Sequence, residues 1–128
     1  MSGELILLVE DHELNLELAR DTLQLRGLRT LEARTAREGI ALARSHHPDV
    51  VLLDIQLPDE DGLAALGVLR QLAETAAIPV VALTAFAMRE ERERLLAAGF
   101  DVYLSKPLDV RTFPDQVLHY CARARGAR

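Results

Sequence analysis

Residues 50–62 read VVLLDIQLPDEDG. The apolar run Val50–Leu53 suits only the interior of a sheet, yet it ends on a carboxylate, Asp54. A charge at the end of a buried strand costs free energy unless something pairs with it. Asp54 therefore either emerges into solvent or sits where its charge is wanted. The rest of the chain decides between the two.

Working outward, four further β-favouring runs stand at Leu5–Val9, Arg29–Ala33, Val80–Thr84 and Val102–Leu104. The second is the weakest, with only Leu28, Leu31 and Ala33 apolar around it. Between the runs lie stretches with helical spacing. Glu13–Arg26 ends at Gly27, which suits a left-handed cap. Thr35-Ala36-Arg37-Glu38 has the form of a capping box, after which Ala36, Ile40 and Ala43 share a face. Leu63, Leu66 and Leu69 or Val68 mark a third helix opened by Asp61-Gly62, and Met88–Ala98 a fourth closed by Gly99. Val110, Phe113, Val117 and Cys121 repeat behind Asp109, which reads as the N-cap of the last. Strand and helix thus alternate five times over residues 1–128, with no repeat or internal linker. The pattern predicts a single α/β domain: a doubly wound, five-stranded parallel sheet with helices on both faces.

Composition narrows the function. The net charge of −5 argues against nucleic acid as the main partner, because phosphate binding needs a basic face. The arginines of the tail CARARGAR complement the C-terminal dipole of a last helix. Apolar runs of four to six residues are far short of a membrane span. The opening MSGELILLVEDHELN has neither a basic n-region nor a cleavage site, and reads as the start of the fold. A lone cysteine, Cys121, excludes internal disulfides, agrees with a reducing cytoplasm and reads as a packing residue.

In open sheets of this kind, ligands bind beyond the carboxyl ends of the strands, where strand order reverses. The chemistry-bearing residues fall there. Strand one leads at once to Glu10 and Asp11, strand three to Asp54, strand four to Thr84, and strand five to Lys106-Pro107. Three carboxylates so close would repel one another unless a cation shared the site. Magnesium, or manganese, is the natural choice: a hard ion that takes oxygen ligands and keeps several waters. A lysine and a hydroxyl facing that cation call for an anionic group, most simply a phosphoryl. Asp54 then reads as a nucleophile that accepts the phosphoryl group as an acyl phosphate.

The strings VEDHELN, LLDIQLPDEDG, IPVVALTAF and YLSKP resemble, over the whole chain, the signatures of response-regulator receiver domains, the fold of the chemotaxis protein CheY. VEDHELN, LLDIQLP, TAFAM and YLSKP are more similar still to the DivK-type single-domain regulators of bacterial cell-cycle control. The resemblance implies the strand order 2-1-3-4-5. It implies that Asp54 is the phosphoacceptor and that Glu10 and Asp11 hold magnesium with the backbone carbonyl of Gln56. It further implies that Thr84 and the Ala85 amide contact the phosphoryl group, that Lys106 pairs with it, and that Tyr103 is the aromatic switch residue. Gln56 and Phe86 match positions that modulate the lifetime of the acyl phosphate. The Lys106-Pro107 bond resembles one that is cis in the family, which proline makes affordable. Glu60 departs from the pattern, since many members carry an apolar residue there.

By the same resemblance the protein is a two-component switch and not a turnover enzyme, although it catalyses its own phosphorylation and slow dephosphorylation. Its donor would be a sensor histidine kinase or a histidine phosphotransfer protein. Its downstream protein target would meet the face of the fourth helix, fifth strand and fifth helix. The expectation is that no output segment follows residue 128, so that the signal would pass by protein contact or by handing the phosphoryl onward in a phosphorelay. The expected state is a monomer, with dimerisation reserved for the phosphorylated form, and no DNA or membrane partner.

The remaining polar residues read more plainly. His12 is a rim residue and not a metal ligand; His46-His47 is a solvated turn; Asp59 and Asp61 are loop and helix-start acids. MREERERLL is a solvated helix face with i,i+4 pairs. A flavin-binding relative of the fold would need a Ser/Thr/Gly-rich loop where EDHELN stands. A haloacid-dehalogenase phosphatase would need a second aspartate at position 56, which is Gln. A pseudo-receiver would lack one of the acids, the hydroxyl or the lysine.

Overall fold

A computed structural model describes residues 3–85 and 88–126, the side chains of 122–126 excepted. The elements in chain order are β1 Leu5–Val9, α1 Glu13–Leu25, β2 Arg29–Ala33, α2 Ala36–His46, β3 Val50–Asp54, α3 Gly62–Gln71, β4 Val80–Thr84, α4 Arg89–Ala98, β5 Val102–Ser105 and α5 Phe113–Gly126. All strand pairs are parallel, and the sheet runs β2-β1-β3-β4-β5. The predicted alternation and strand order hold.

Side-chain alternation along the strands explains the layers. Leu7, Val9, Val51, Leu53, Val80 and Ala82 point to one face, where α2, α3 and α4 cover them with Ala36, Ala43, Leu66, Leu69 and Leu95. Ile6, Leu8, Val50, Leu52, Val81 and Leu83 point to the other, under Leu16, Leu23, Phe113, Val117 and Cys121 of α1 and α5. β1, β3 and β4 are therefore apolar on both faces, whereas the edge strands β2 and β5 are half-exposed. The weak second run is an edge strand, which needs less apolar surface. Among the described residues of α4, Leu95 alone is buried.

Element ends follow local chemistry. The Thr35 hydroxyl accepts from the Glu38 amide at 3.1 Å, while Glu38 reaches back to the Arg34 amide at 2.8 Å. Asp61 caps α3 by accepting from the Ala64 amide at 2.8 Å. Gly99 closes α4 at φ 114°, a conformation that any Cβ would strain. Leu69, not Val68, is the core member of α3: Val68 is exposed.

Three boundaries move. Asp54 is the last residue of β3 rather than the first beyond it, β5 runs one residue further to Ser105, and Met88 is the N-cap of α4 rather than its first residue. The larger correction concerns α5. Val110 is exposed and lies in a turn, and the helix starts at Phe113. Asp109 caps that turn, its carboxylate accepting from the Arg111 amide and its carbonyl from the Phe113 amide. Pro114, which has no N–H to offer, fits the first helical turn. No helix among the described residues is long and apolar enough to cross a membrane.

Candidate functional site

Strand register brings the site together. Val9 pairs with Leu53, so Glu10 and Asp11 emerge from β1 beside Asp54 at the end of β3. Thr84 pairs with Ser105, and the Lys106 amide donates to the Thr84 carbonyl at 2.8 Å, which sets Lys106 at the same sheet end. Carboxylate oxygens of Glu10, Asp11 and Asp54 all lie within 4.8 Å of one another. Glu10 and Asp54 are each 3% exposed, while Asp11 faces solvent.

Each buried carboxylate is oriented by the amide two residues along. Asp54 Oδ1 accepts from the Gln56 amide at 2.9 Å, and Glu10 Oε2 from the His12 amide at 3.1 Å. The Lys106 ammonium bridges them, donating to Asp54 Oδ2 at 2.7 Å and lying 2.8 Å from Glu10 Oε1. Glu10 Oε1 is buried, with Lys106 as its charge partner. Burial first, and the contact with Asp54 second, hold the Glu10 carboxyl above the ordinary glutamate range, against the pull of Lys106 and the His12 amide. Burial lowers the Lys106 ammonium, but its bonds to Asp54 and Glu10 outweigh that and leave it above an ordinary lysine.

One ammonium among three carboxylates leaves negative charge uncompensated. An all-oxygen donor set with this excess of negative charge fits a hard divalent cation. The residues present therefore suit magnesium or manganese, which Asp11, Asp54 and Glu10 would hold.

The site opens into a cleft of about 410 Å³, with Asp11, Asp54, Gln56, Ala85 and Lys106 in its walls. The β3–α3 loop closes it. Gln56 forms a bridge with Asp61, and the Gly62 amide donates to the Ile55 carbonyl at 2.9 Å. A Cβ on Gly62 would stand 2.6 Å from the Ile55 Cα, so only glycine lets α3 start this close to β3. Thr84 is buried at the end of β4, and the exposed Ala85 next to it reaches the cleft. The Lys106-Pro107 peptide is cis. Phe86 lies outside the described residues. Tyr103 is half-buried on β5, away from the cleft lining, and accepts a hydrogen bond from Arg92.

His12 lines the rim; His46 and His47 are exposed, but His46 is the last residue of α2 and His47 its C-cap rather than both lying in a turn. Three roles escaped the sequence reading. Asn15 lines the cleft, and its place four residues after Asp11 on α1 was the available signal. Asp59 reaches across to α2, and Arg92 to Tyr103; both partners are tertiary.

Comparison with known proteins agrees with this geometry. Residues 6–118 match the response regulator receiver domain family. The chain belongs to that family. It is 42% identical over 119 residues to the polar-differentiation response regulator DivK of Brucella ovis, covering 93% of this chain and 97% of the relative. A CheY-like receiver domain protein from Methanospirillum hungatei superposes with TM-score 0.88 at 26% identity, covering 98% of this chain and 99% of that one. The receiver domain of a sensor histidine kinase from Pseudomonas aeruginosa, solved with a magnesium ion coordinated in its active-site cleft, superposes with TM-score 0.86 at 30% identity. It covers 94% of this chain and 98% of its own. The protein is thus a receiver domain of two-component signalling.

Proposed function

We propose that this receiver domain takes a phosphoryl group on Asp54 from a histidine kinase or phosphotransfer protein and thereby switches a protein-binding surface. The observation that carries the reading is the Asp54 carboxylate, buried at a strand end, bonded to Lys106 at 2.7 Å and clustered with Glu10 and Asp11. A carboxylate oxygen of Asp54 attacks phosphorus; the nitrogen–phosphorus bond of the donor phosphohistidine breaks, and the leaving imidazole keeps that electron pair and is protonated. Asp54 becomes an acyl phosphate. Lys106 stays at hand to pair with the phosphoryl oxygens, and the Ala85 amide and Thr84 hydroxyl stand at the next strand end to receive them. A bound magnesium or manganese ion would offset charge between the carboxylates and the incoming group.

The surface that responds is the face of α4, β5 and α5. It offers exposed apolar contact at Met88 and Leu96, and an open groove of about 530 Å³ between β5 and α5, lined by Val102, Leu104 and Tyr120. A protein target fits such a surface better than a small ligand. Thr84 and Tyr103 link it to the site: a hydroxyl drawn toward the phosphoryl group vacates space into which the ring can turn.

Intact-mass measurement after incubation with acetyl phosphate or a phosphohistidine donor tests the assignment. Wild type should gain one phosphoryl group only with magnesium present, and Asp54→Asn should gain none. Equal labelling of the two proteins would overturn it.

A further inference from the structure

The two halves of the cation site come from different strands, and a side chain outside the site ties them together. Asp59, in the loop after β3, places one carboxylate oxygen 2.8 Å from the Ala36 amide and the other 3.0 Å from the Arg37 amide. Both are N-terminal amides of α2, which have no partner within the helix. Thr35 serves the Glu38 amide of the same turn, so the cap is shared between a local residue and one from a distant loop. The bonds hold Asp59 below the ordinary aspartate range, that to Ala36 first and that to Arg37 second.

What α2 rests on gives the tether its meaning. Gly39 packs so closely on β1 that a Cβ there would stand 2.7 Å from Val9 Cγ2. Val9 is followed directly by Glu10 and Asp11. At the other end, only Leu57 and Pro58 separate Gln56 from Asp59. Pro58 stiffens this link, and Leu57 packs on the core face that α2 covers. A rigid path therefore runs from the β1 carboxylates through Val9, Gly39 and the first turn of α2 to Asp59, and back along the loop to Gln56.

We infer that Asp59 is a positioning residue for the cation site, and that it couples cation binding to the order of the α2 N-terminus. This rests on the reading of Glu10, Asp11, Asp54 and Gln56 as a magnesium site. Linkage makes the coupling reciprocal: if the tether improves magnesium affinity, magnesium must tighten the tether.

The test compares two lost caps on one helix. Asp59→Ala removes the tether and the acceptors of two capped amides; Thr35→Ala removes the acceptor of the third and no tether. Magnesium chloride titrated calorimetrically into each full-length protein should bind Asp59→Ala about tenfold more weakly, in the range typical of groups that orient metal ligands. Thr35→Ala should keep wild-type affinity, and Asp59→Asn, which retains one acceptor oxygen, should fall between. In hydrogen exchange, magnesium should slow the Ala36 and Arg37 amides of wild type and of Thr35→Ala, but not of Asp59→Ala. Unchanged affinity in Asp59→Ala would reduce Asp59 to a helix cap. Equal weakening in both alanine variants would assign the loss to fraying of α2. Either result overturns the coupling and leaves the metal reading intact, whereas a wild-type protein that bound no magnesium would overturn both.

Discussion

The guanidinium of Arg92 on α4 donates a 3.2 Å hydrogen bond to the Tyr103 hydroxyl on β5, and its carbon lies 5.9 Å from the ring centroid. On the proposed switch, the helix that would move and the ring that would turn are thus joined by one side chain. A cation over an aromatic face and one such bond together contribute about 1 kcal/mol. Arg92→Ala should cost about that much stability and free the ring. With 3-fluorotyrosine at Tyr103 and Tyr120, the Tyr103 fluorine signal of Arg92→Ala should start part-way toward the position that wild type reaches with beryllofluoride. A signal unmoved by the substitution would show that Arg92 does not restrain the ring.

Lys106 competes with any cation for the same carboxylates. Lys106→Ala leaves Asp54 and Glu10 buried without their shared partner, at a cost of about 3 kcal/mol in metal-free urea unfolding. The same substitution should tighten magnesium binding, because the ion no longer displaces an ammonium. Saturating magnesium should then recover much of the lost stability. Weaker magnesium binding by this variant in calorimetry would contradict the competition.

Gly62 has no room to grow. A methyl there meets Ile55 Cα at 2.6 Å and the Asp54 carbonyl at 2.9 Å, both backbone atoms that cannot step aside cheaply. Gly62→Ala should destabilise by about 2–3 kcal/mol and shift the loop that carries Gln56. The control is Gly67→Ala, also on α3, where nothing lies within 4 Å of the added carbon. That change should be neutral or stabilising in thermal melts, and equal losses at the two positions would refute the argument from space.

Acid should release the Asp59 tether. Two backbone amides stabilise its charged form, so its folded pKa lies below the unfolded one. The stabilisation is complete above the unfolded aspartate range, about pH 4, and is lost as pH falls through the folded value. The stability gap between wild type and Asp59→Asn should therefore be level near neutrality and shrink below about pH 4. A gap that widened on acidification would reverse the sign and exclude a bonded carboxylate.

What the sequence made legible was periodic or local. Val50–Leu53 announced a strand buried on both faces, and alternation along it assigned each side chain to one of two cores. Glu10, Asp11, Asp54 and Lys106 could be placed at one sheet end because parallel topology sends every strand's carboxyl end the same way. The start of α5 misled because Val110 fits the helical spacing to Phe113; the Asp109 turn and Pro114 overrode periodicity. The partners of Asp59 and Arg92 were invisible for a different reason. They lie 23 and 11 residues away, and local pattern carries no record of such contacts.

Among the described residues of α4, one buried leucine, Leu95, and the contact of Arg92 with Tyr103 fasten the helix to the sheet. The ion pairs within the helix, Arg89 with Glu93 and Arg94 with Glu91, hold turns together but bind nothing beneath them. Full burial of one leucine contributes about 2–3 kcal/mol. At about 1.4 kcal/mol per factor of ten, such an anchor with about 1 kcal/mol more from Arg92 would hold the helix in place by a factor of roughly a few hundred. An acyl phosphate on Asp54 would then have no need to drive the helix anywhere. It would only have to favour an excursion that thermal motion already makes, so the message to a partner is written as a change in occupancy rather than as a push.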